Sequence, residues 1–384
     1  MIKKTLILGD HIQALGIARI IGKLGIEVEL FNEYRGAVAR FSKYCNKFHL
    51  FYDENELINK LTLGDFPKNT LIIPTNDKMV KFLADNYKFL NNLFHLAIPK
   101  PNIVDICYNK IQTYKTAQKL GIPIPESFFP TKIEDVKDIS KIVNYPVIIK
   151  PAIMYYFHKI TGKKVFLCNS KSELLSNYKK ITKIIPTNEV IIQEFISGGA
   201  SNLYSFCSFV ENKNIHGSFI ANRIRQKPMD FGISTTFARS VVNLRIEELA
   251  GKFLNGINYF GLSEVEFMYD EKIDDYKLIE INPRTWKWHT ISNKLNINLL
   301  EMMIKYFQGE NITEKHNIID KVGWIERITD SYVALKEILE GRLTLSEYFK
   351  SLKIEKESAV LSKDDPLPAL MYVILLPYLF YKRG

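Results

Sequence analysis

Residues 277–288 read Lys-Leu-Ile-Glu-Ile-Asn-Pro-Arg-Thr-Trp-Lys-Trp and hold the densest chemistry in the chain. Leu278, Ile279 and Ile281 suit a pleated, buried strand, which Pro283 ends by removing an N–H donor. Glu280 and Asn282 are two apart, so their side chains leave the same face of that strand. Upstream, residues 261–269 form a second strand with Glu264 and Glu266 on one face, and residues 270–276 read as the hairpin loop between the two. A register symmetric about Ile273 sets Glu266 opposite Glu280, with Cβ atoms about 4.5–5.5 Å apart. Two carboxylates that close repel each other unless a proton or a cation separates them. A hard cation such as Mg2+, which takes carboxylate oxygens together with substrate phosphates, resolves the conflict for Glu266, Glu280 and Asn282. Glu264, taken alone, reads as an ordinary surface acid.

Other groups could serve a phosphate or a carboxylate. Lys150 ends the apolar run 145–151, and the loop after it carries Lys159, Gly162, Lys163 and Lys164. A lysine in that position otherwise snorkels to the surface. Gln193 and Glu194 follow three apolar residues and precede Phe195 and Ile196, a pattern that gives a cleft edge polar partners for a purine and apolar cover for its face. Arg223 and Arg225 alternate on a strand and are expected to share a face, where they could clamp a carboxylate or phosphate by bidentate bonding. Trp286 and Trp288 also share a face, as pocket wall or as packing. His289 is a candidate base for an amine, with a structural imidazole as the plainer alternative.

These groups need elements to position them. A strand over 5–8, a helix over 14–24 stopped by Gly25, and a strand over 28–31 make a βαβ unit, which demands a parallel sheet. Gly9 and Gly16 do not form G-x-G-x-x-G, so no dinucleotide site follows from them. A strand over 71–74 runs into Thr75-Asn76-Asp77, at the strand end where open α/β sheets bind ligands; Asn76 or Asp77 could equally cap a helix. Asn109-Lys110 opens a helix through Leu120, ended by Gly121 and an extended Ile122-Pro123-Ile124-Pro125.

The chain has 384 residues, more than one core usually organises, so two or three lobes are expected. Its net charge of +10 is dispersed without any run of five like charges, which argues against a nucleic-acid stripe. Cys45, Cys107, Cys168 and Cys207 stand far apart, so neither a structural zinc site nor a disulfide framework is expected. No signal-peptide pattern opens the sequence, and a cytoplasmic location is the expectation.

Taken in order, Asn109-Lys110, Val147-Ile148-Ile149-Lys150-Pro151, Gln193-Glu194-Phe195-Ile196, Glu264-Val265-Glu266-Phe267 and Glu280-Ile281-Asn282-Pro283-Arg284 resemble the ATP-grasp superfamily over essentially the whole chain. The resemblance implies an α/β ATP-grasp fold. Its parts would be a Rossmann-like parallel-sheet domain (1–100), a small α+β lid (101–196), a central antiparallel-sheet domain with the metal site (197–309) and a C-terminal helical appendage (310–384). It implies that Lys110 and Lys150 contact ATP phosphates, that Gln193, Glu194, Phe195 and Ile196 line the adenine pocket, and that Glu266, Glu280 and Asn282 hold Mg2+, with Mn2+ as a substitute. Arg284 would serve the transferring phosphoryl group or the acyl-phosphate, with Arg225 beside it in the catalytic set. One departure stands out: residues 152–164 contain only Gly162 and the bulky Tyr155, Tyr156 and Phe157, where many members carry a glycine-rich loop. Lys163 or Lys164 would then hold the phosphates electrostatically.

Residues 222–228 and 232–236 look like the carboxylate–amine ligases related to D-aspartate ligase and to predicted carboligases, with Arg223 and Arg225 as carboxylate ligands. The expected activity is an ADP-forming ligase joining a small-molecule carboxylate to an amine, such as an amino acid to a cell-wall or polysaccharide precursor. The alternatives are an ATP-grasp carboxylase and a non-catalytic nucleotide-binding protein. No nucleic-acid partner and no transmembrane segment are expected; a dimer is one option for the assembly. The apolar tail 367–381, followed by Lys382-Arg383, is broken by Pro368 and Pro377 and is expected to pack on the protein or touch a membrane surface.

Overall fold

Three sheets organise the chain, and the order of strand types along the sequence accounts for each. The computed structural model describes residues 1–232 and 234–383, with the side chains of residues 155, 156 and 380–383 left out. Ile233 of the segment 232–236, and the side chains of Tyr155, Tyr156, Tyr381, Lys382 and Arg383, therefore lie outside the described residues.

The first sheet holds β1 (Lys4–Leu8), β2 (Glu27–Asn32), β3 (Lys47–Leu50), β4 (Thr70–Pro74) and β5 (His95–Leu96) in the order β3-β2-β1-β4-β5. All its pairings are parallel, as the βαβ pattern requires. The helix His11–Lys23 links β1 to β2, and Asn76 caps the helix Asp77–Asp85 by accepting a hydrogen bond from the Met79 N–H. Asp77 is thereby left at the helix N-terminus, on the carboxyl edge of the sheet.

The second sheet holds β6 (Ser127–Phe128), β7 (Val147–Pro151), β8 (Phe166–Cys168) and β9 (Val190–Glu194) in the antiparallel order β6-β9-β7-β8. Residues 152–164 are not an open loop: Met154–Thr161 forms a helix that ends on Gly162 at φ 64°. Gly162 tolerates that left-handed turn because it has no Cβ.

The third sheet holds β10 (Leu203–Glu211), β11 (Asn214–Lys227), β12 (Ser234–Val241), β13 (Gly261–Asp270), β14 (Asp275–Asn282), β15 (Lys315–His316), β16 (Gly323–Ile325) and β17 (Lys356–Ser358). Its path is β14-β13-β10-β11-β12-β16-β17, with β15 beside β11. The pairings among β10 to β14 are all antiparallel, as expected for residues 197–309. The later β15 and β17 pair in parallel with β11 and β16, which makes the whole sheet mixed. Beyond residue 310 two short strands precede the helices Arg327–Leu339 and Leu345–Ser351, and β17 lies between these and the helix Leu367–Arg383.

One apolar core joins the first and third sheets. It includes Ile7, Leu15, Leu30, Phe219, Trp286, Trp288 and Leu300, all buried. Each fully buried side chain of this size contributes roughly 1.5–3 kcal/mol through removal of its surface from water. This shared core holds the carboxyl edge of the parallel sheet against the β13–β14 hairpin.

Candidate active site

The hairpin builds the site. Its strands pair Glu264 with Asn282, Val265 with Ile281 and Glu266 with Glu280, the expected opposition of carboxylates. The turn is tighter than expected, since β13 runs to Asp270 and β14 begins at Asp275. Pairing counted from Asp270 opposite Asp275 would place Ile279 opposite Glu266, but a bulge there leaves Ile279 unpaired and moves Glu280 into position. The Tyr114 hydroxyl donates to the Ile279 carbonyl at 2.7 Å, so the bulge is held from the helix Lys110–Lys119.

That helix also delivers Lys110. Asn109 caps it, accepting from the Ile111 and Gln112 N–H groups, and the Lys110 ammonium then lies 2.5 Å from the Glu280 carboxylate. Burial disfavours charge on both groups, yet their mutual attraction prevails: Lys110 is held above its usual range and Glu280 well below its own, with Lys164 adding to the effect on Glu280. Lys150, also buried, donates to the Tyr114 hydroxyl at 2.8 Å and to Gln193 Oε1 at 2.7 Å; Gln193 Nε2 in turn donates to Ser127 at 2.7 Å. Lys150, Gln193 and Tyr114 are thus one hydrogen-bonded group, and Tyr114 ties it to the Ile279 carbonyl next to the Glu280 that holds Lys110.

Across the sheet lies Arg223. It is ion-paired with Glu266 and stands 3.5 Å from Glu264, while its Nε has no hydrogen-bond partner. Glu264 is buried at 3% exposure, so it is no surface acid. Burial, then repulsion from Glu266, push its carboxyl up to about 7, and its Oε1 has no hydrogen-bond partner. Burial raises Glu266 as well, against the pull of Arg223. Asn282 Nδ2 donates to Glu264 at 3.1 Å and to Glu266 at 3.3 Å. Lys164 donates to the Gly232 carbonyl at 2.8 Å; burial lowers its pKa against attraction from Glu280 and Glu266, which places it in the field of the cluster. Lys163 lies 5.4 Å from the Phe166 ring centre instead.

Arg284 joins the hairpin to the parallel sheet. Its Nε donates to Asp77 at 2.6 Å and its NH2 to Asn282 Oδ1 at 3.2 Å. The polar end of β4 and the metal-type strand thus meet, 207 residues apart in sequence.

Several expected residues fall elsewhere. Arg225 does not share a face with Arg223, because irregularities in the β11–β12 pairing break the alternation between them. Its guanidinium makes a two-pronged pair with Asp330 at 2.8 and 2.9 Å, which removes it from the catalytic and carboxylate-binding set. Glu194 is ion-paired with Lys277, and β9 ends at Glu194, leaving Phe195 beyond the strand with its ring 5.7 Å from that of Phe231 and Ile196 buried. Trp286 and Trp288 are core residues with ring centres 5.7 Å apart. His289 is buried, shares a 2.8 Å hydrogen bond with the Trp286 carbonyl, and lies where a Cβ on Gly16 would come within 2.7 Å of its ring. Burial pushes its pKa down to about 4, so it is a neutral packing imidazole and not a base for an amine.

The cluster fits a hard divalent cation in donor type. Glu264, Glu266, Glu280 and Asn282 offer only oxygen ligands, and a buried carboxylate oxygen without a hydrogen bond is a poor resident of a protein interior. As the side chains stand, no three acidic, histidine or cysteine side chains among the described residues converge on one point, because Arg223 and Lys110 hold the carboxylates. Sequence reasoning undervalued Glu264, although its spacing of two from Glu266 was the available signal. It also missed Tyr114, which no motif marks.

Residues 109–315 match the family described as carbamoyl-phosphate synthase L chain, ATP binding domain. The chain is 25% identical over 233 residues to a carbamoyl phosphate synthase large chain, C-terminal section, from Methanopyrus kandleri, covering 58% of this chain and 41% of that one. It therefore spans less than half the length of that relative. It is 22% identical over 296 residues to a D-aspartate ligase from Enterococcus faecium, covering 73% of this chain and 70% of the other. Among solved structures, the biotin carboxylase domain of the Hydrogenobacter thermophilus 2-oxoglutarate carboxylase, a dimer in complex with MgADP, ADP and bicarbonate, superposes with a TM-score of 0.66 at 18% identity, over 84% of this chain and 73% of that one. At that identity the likeness shows the shared α/β fold. With more than half its length matched, this chain belongs to the carbamoyl-phosphate synthase L chain ATP-binding-domain family of the ATP-grasp superfamily.

Proposed function

We propose that this chain is an ADP-forming carboxylate–amine ligase that uses Mg-ATP. The observation that carries the reading is the hairpin register, which stacks Glu266 on Glu280 and Glu264 on Asn282 beside Lys110, Arg223 and Arg284. Such a site neutralises negative charge and positions reactants without a protein nucleophile, which is what phosphoryl transfer to a carboxylate demands. The D-aspartate ligase relative supports the C–N reading, since the match covers most of both chains.

In this reading Lys110 and Lys150 hold the ATP phosphates, with Lys164 closing from the second sheet. Residues Gln193, Glu194, Phe195 and Ile196 border the base. Glu266, Glu280 and Asn282, joined by Glu264, hold Mg2+, which neutralises phosphate charge when bound. Arg223, with its free Nε, orients the acid substrate. A carboxylate oxygen of that acid attacks the γ-phosphorus and ADP leaves. The amine then attacks the acyl carbon, phosphate departs, and the amine proton passes to solvent. Arg284, anchored on Asp77, lies where it can neutralise the acyl-phosphate.

The test is ADP release from Mg-ATP across pools of amino acids and carboxylated cell-surface precursors, with Glu280→Gln as the blank. The reading expects stimulation by one acid together with one amine and a product carrying a new amide. Stimulation by bicarbonate with a carboxylated product would replace the ligase by a carboxylase, and ATP binding without turnover in any pool would replace it by a non-catalytic role. Arg223→Ala should raise the KM for the acid more than that for ATP; equal effects would remove the carboxylate role.

A further inference from the structure

The helix Leu367–Arg383 has two unlike sides. One is docked: Tyr372 and Leu379 are buried, the Tyr372 hydroxyl donates to Glu326, and the Tyr378 ring lies where a Cβ on Gly36 would clash with it. At about 100° per residue, positions 367, 370, 373, 374 and 377 fall within one arc of roughly 120° on the other side. There Leu367, Leu370, Val373 and Ile374 are 48%, 59%, 52% and 58% exposed, and Pro377 is exposed as well. Every one of these positions is apolar.

The surroundings are basic. Residues 366–383 contain no acid, and the sequence there finishes with Lys382-Arg383. The helix packs on the turn Val38–Phe41, whose neighbourhood from Arg35 to Tyr44 carries Arg35, Arg40 and Lys43 and no acid. Arg35 and Lys43 are exposed. The acids beside it are engaged: Glu326 with Lys287, Glu33 with Lys78, Asp364 with Lys23, and the buried Asp365 with Arg19. Among the described residues no helix is long and apolar enough to cross a bilayer.

We infer that this helix is a peripheral membrane-docking element that lays its apolar arc on an anionic lipid surface. The arc enters the boundary between headgroups and acyl chains, while Arg35 and Lys43 meet the headgroup charge. The helix stays docked to the protein through Tyr372 and Leu379, so the whole chain is carried to the surface with it.

The test is co-sedimentation of the full chain with vesicles of two parts phosphatidylcholine to one part phosphatidylserine, and with phosphatidylcholine alone. The wild type should sediment with the mixed vesicles, less with the neutral ones, and less as salt rises. Leu370→Asp with Ile374→Asp should lower binding to both about tenfold. Arg35→Glu with Lys43→Glu should lower it on the mixed vesicles alone. All four positions are exposed, so circular dichroism and ATP binding should match the wild type. Failure of the wild type to sediment with either vesicle, or unchanged binding by the Asp pair, would overturn the inference. So would a concentration-dependent dimer that the Asp pair dissociates without any vesicle binding, because a second copy would then be the cover.

Discussion

Two sets of charge meet the two arginines of β11, one around Asp330 on the helix Arg327–Leu339 and one on the β13–β14 hairpin, and they are built to opposite ends. At Asp330 every partner is in place: Arg225 grips it with two hydrogen bonds, and Thr236 donates a third at 2.9 Å. Glu326 nearby accepts from Lys287, Thr329 and Tyr372. At Glu264, Glu266 and Glu280 the acids outnumber good partners, Arg223 meets Glu266 with its Nε unused, and Glu264 keeps an oxygen unbonded. A buried pair with every partner in place fastens the fold, whereas a buried carboxylate oxygen without a bond is a group that a bound cation would satisfy, as the proposed function requires. Two arginines on one strand, Arg223 and Arg225, thus belong to different machines.

The contrast can be broken in several places. Glu280→Gln should lower stimulated ADP release by at least about 10^3-fold while circular dichroism stays native, since the amide keeps the shape and an acceptor for Lys110 but removes the charge proposed to face the metal. Arg225→Ala should cost about 3–5 kcal/mol of stability, seen as a lowered Tm, because Asp330 is left buried and unpaired. Arg223→Ala should cost less than half of that, since Glu264 beside it is raised to about 7 and can take up a proton when the guanidinium is lost. Equal losses of Tm would erase the distinction.

The pH dependence sharpens it. The Glu264 carboxyl is raised from the ordinary 4.5 to about 7, so the folded state holds its proton more tightly than the unfolded chain. Its stabilising effect is present below about pH 4.5 and is lost as pH rises toward 7, by up to about 3 kcal/mol. Glu264→Gln should flatten that slope in thermal unfolding; an unchanged slope would show that Glu264 is not its source. The smallest expected effect is at Asn109→Ala, about 1 kcal/mol from the lost cap, measured in the same way. A modest rise in the KM for ATP should accompany it as Lys110 loses its anchor.

Much of the scaffold was legible because it follows periodicity and caps. The parallel first sheet, the helix opened by Asn109 and the strand carrying Lys150 all rest on local patterns. The opposition of Glu266 and Glu280 was also legible, although for an incomplete reason: a shorter turn and a bulge at Ile279 cancel, and neither can be read from alternation. The same blindness to bulges put Arg225 beside Arg223. Glu264 looked exposed because alternation says nothing about what covers the second face of a central strand. The Asp77–Arg284 contact joins two recognised polar stretches, but only tertiary packing brings them together.

The central claim, that the unsatisfied acids form a metal–nucleotide site, is met most directly by titration calorimetry of ATP with Mg2+ present or chelated, on the wild type and on Glu280→Gln. The account predicts that Mg2+ tightens ATP binding to the wild type, with protons released near pH 7 as Glu264 ionises, and that the variant loses this gain while keeping its fold. Binding that is indifferent to Mg2+ in the wild type, or a variant that responds to Mg2+ as the wild type does, would contradict it.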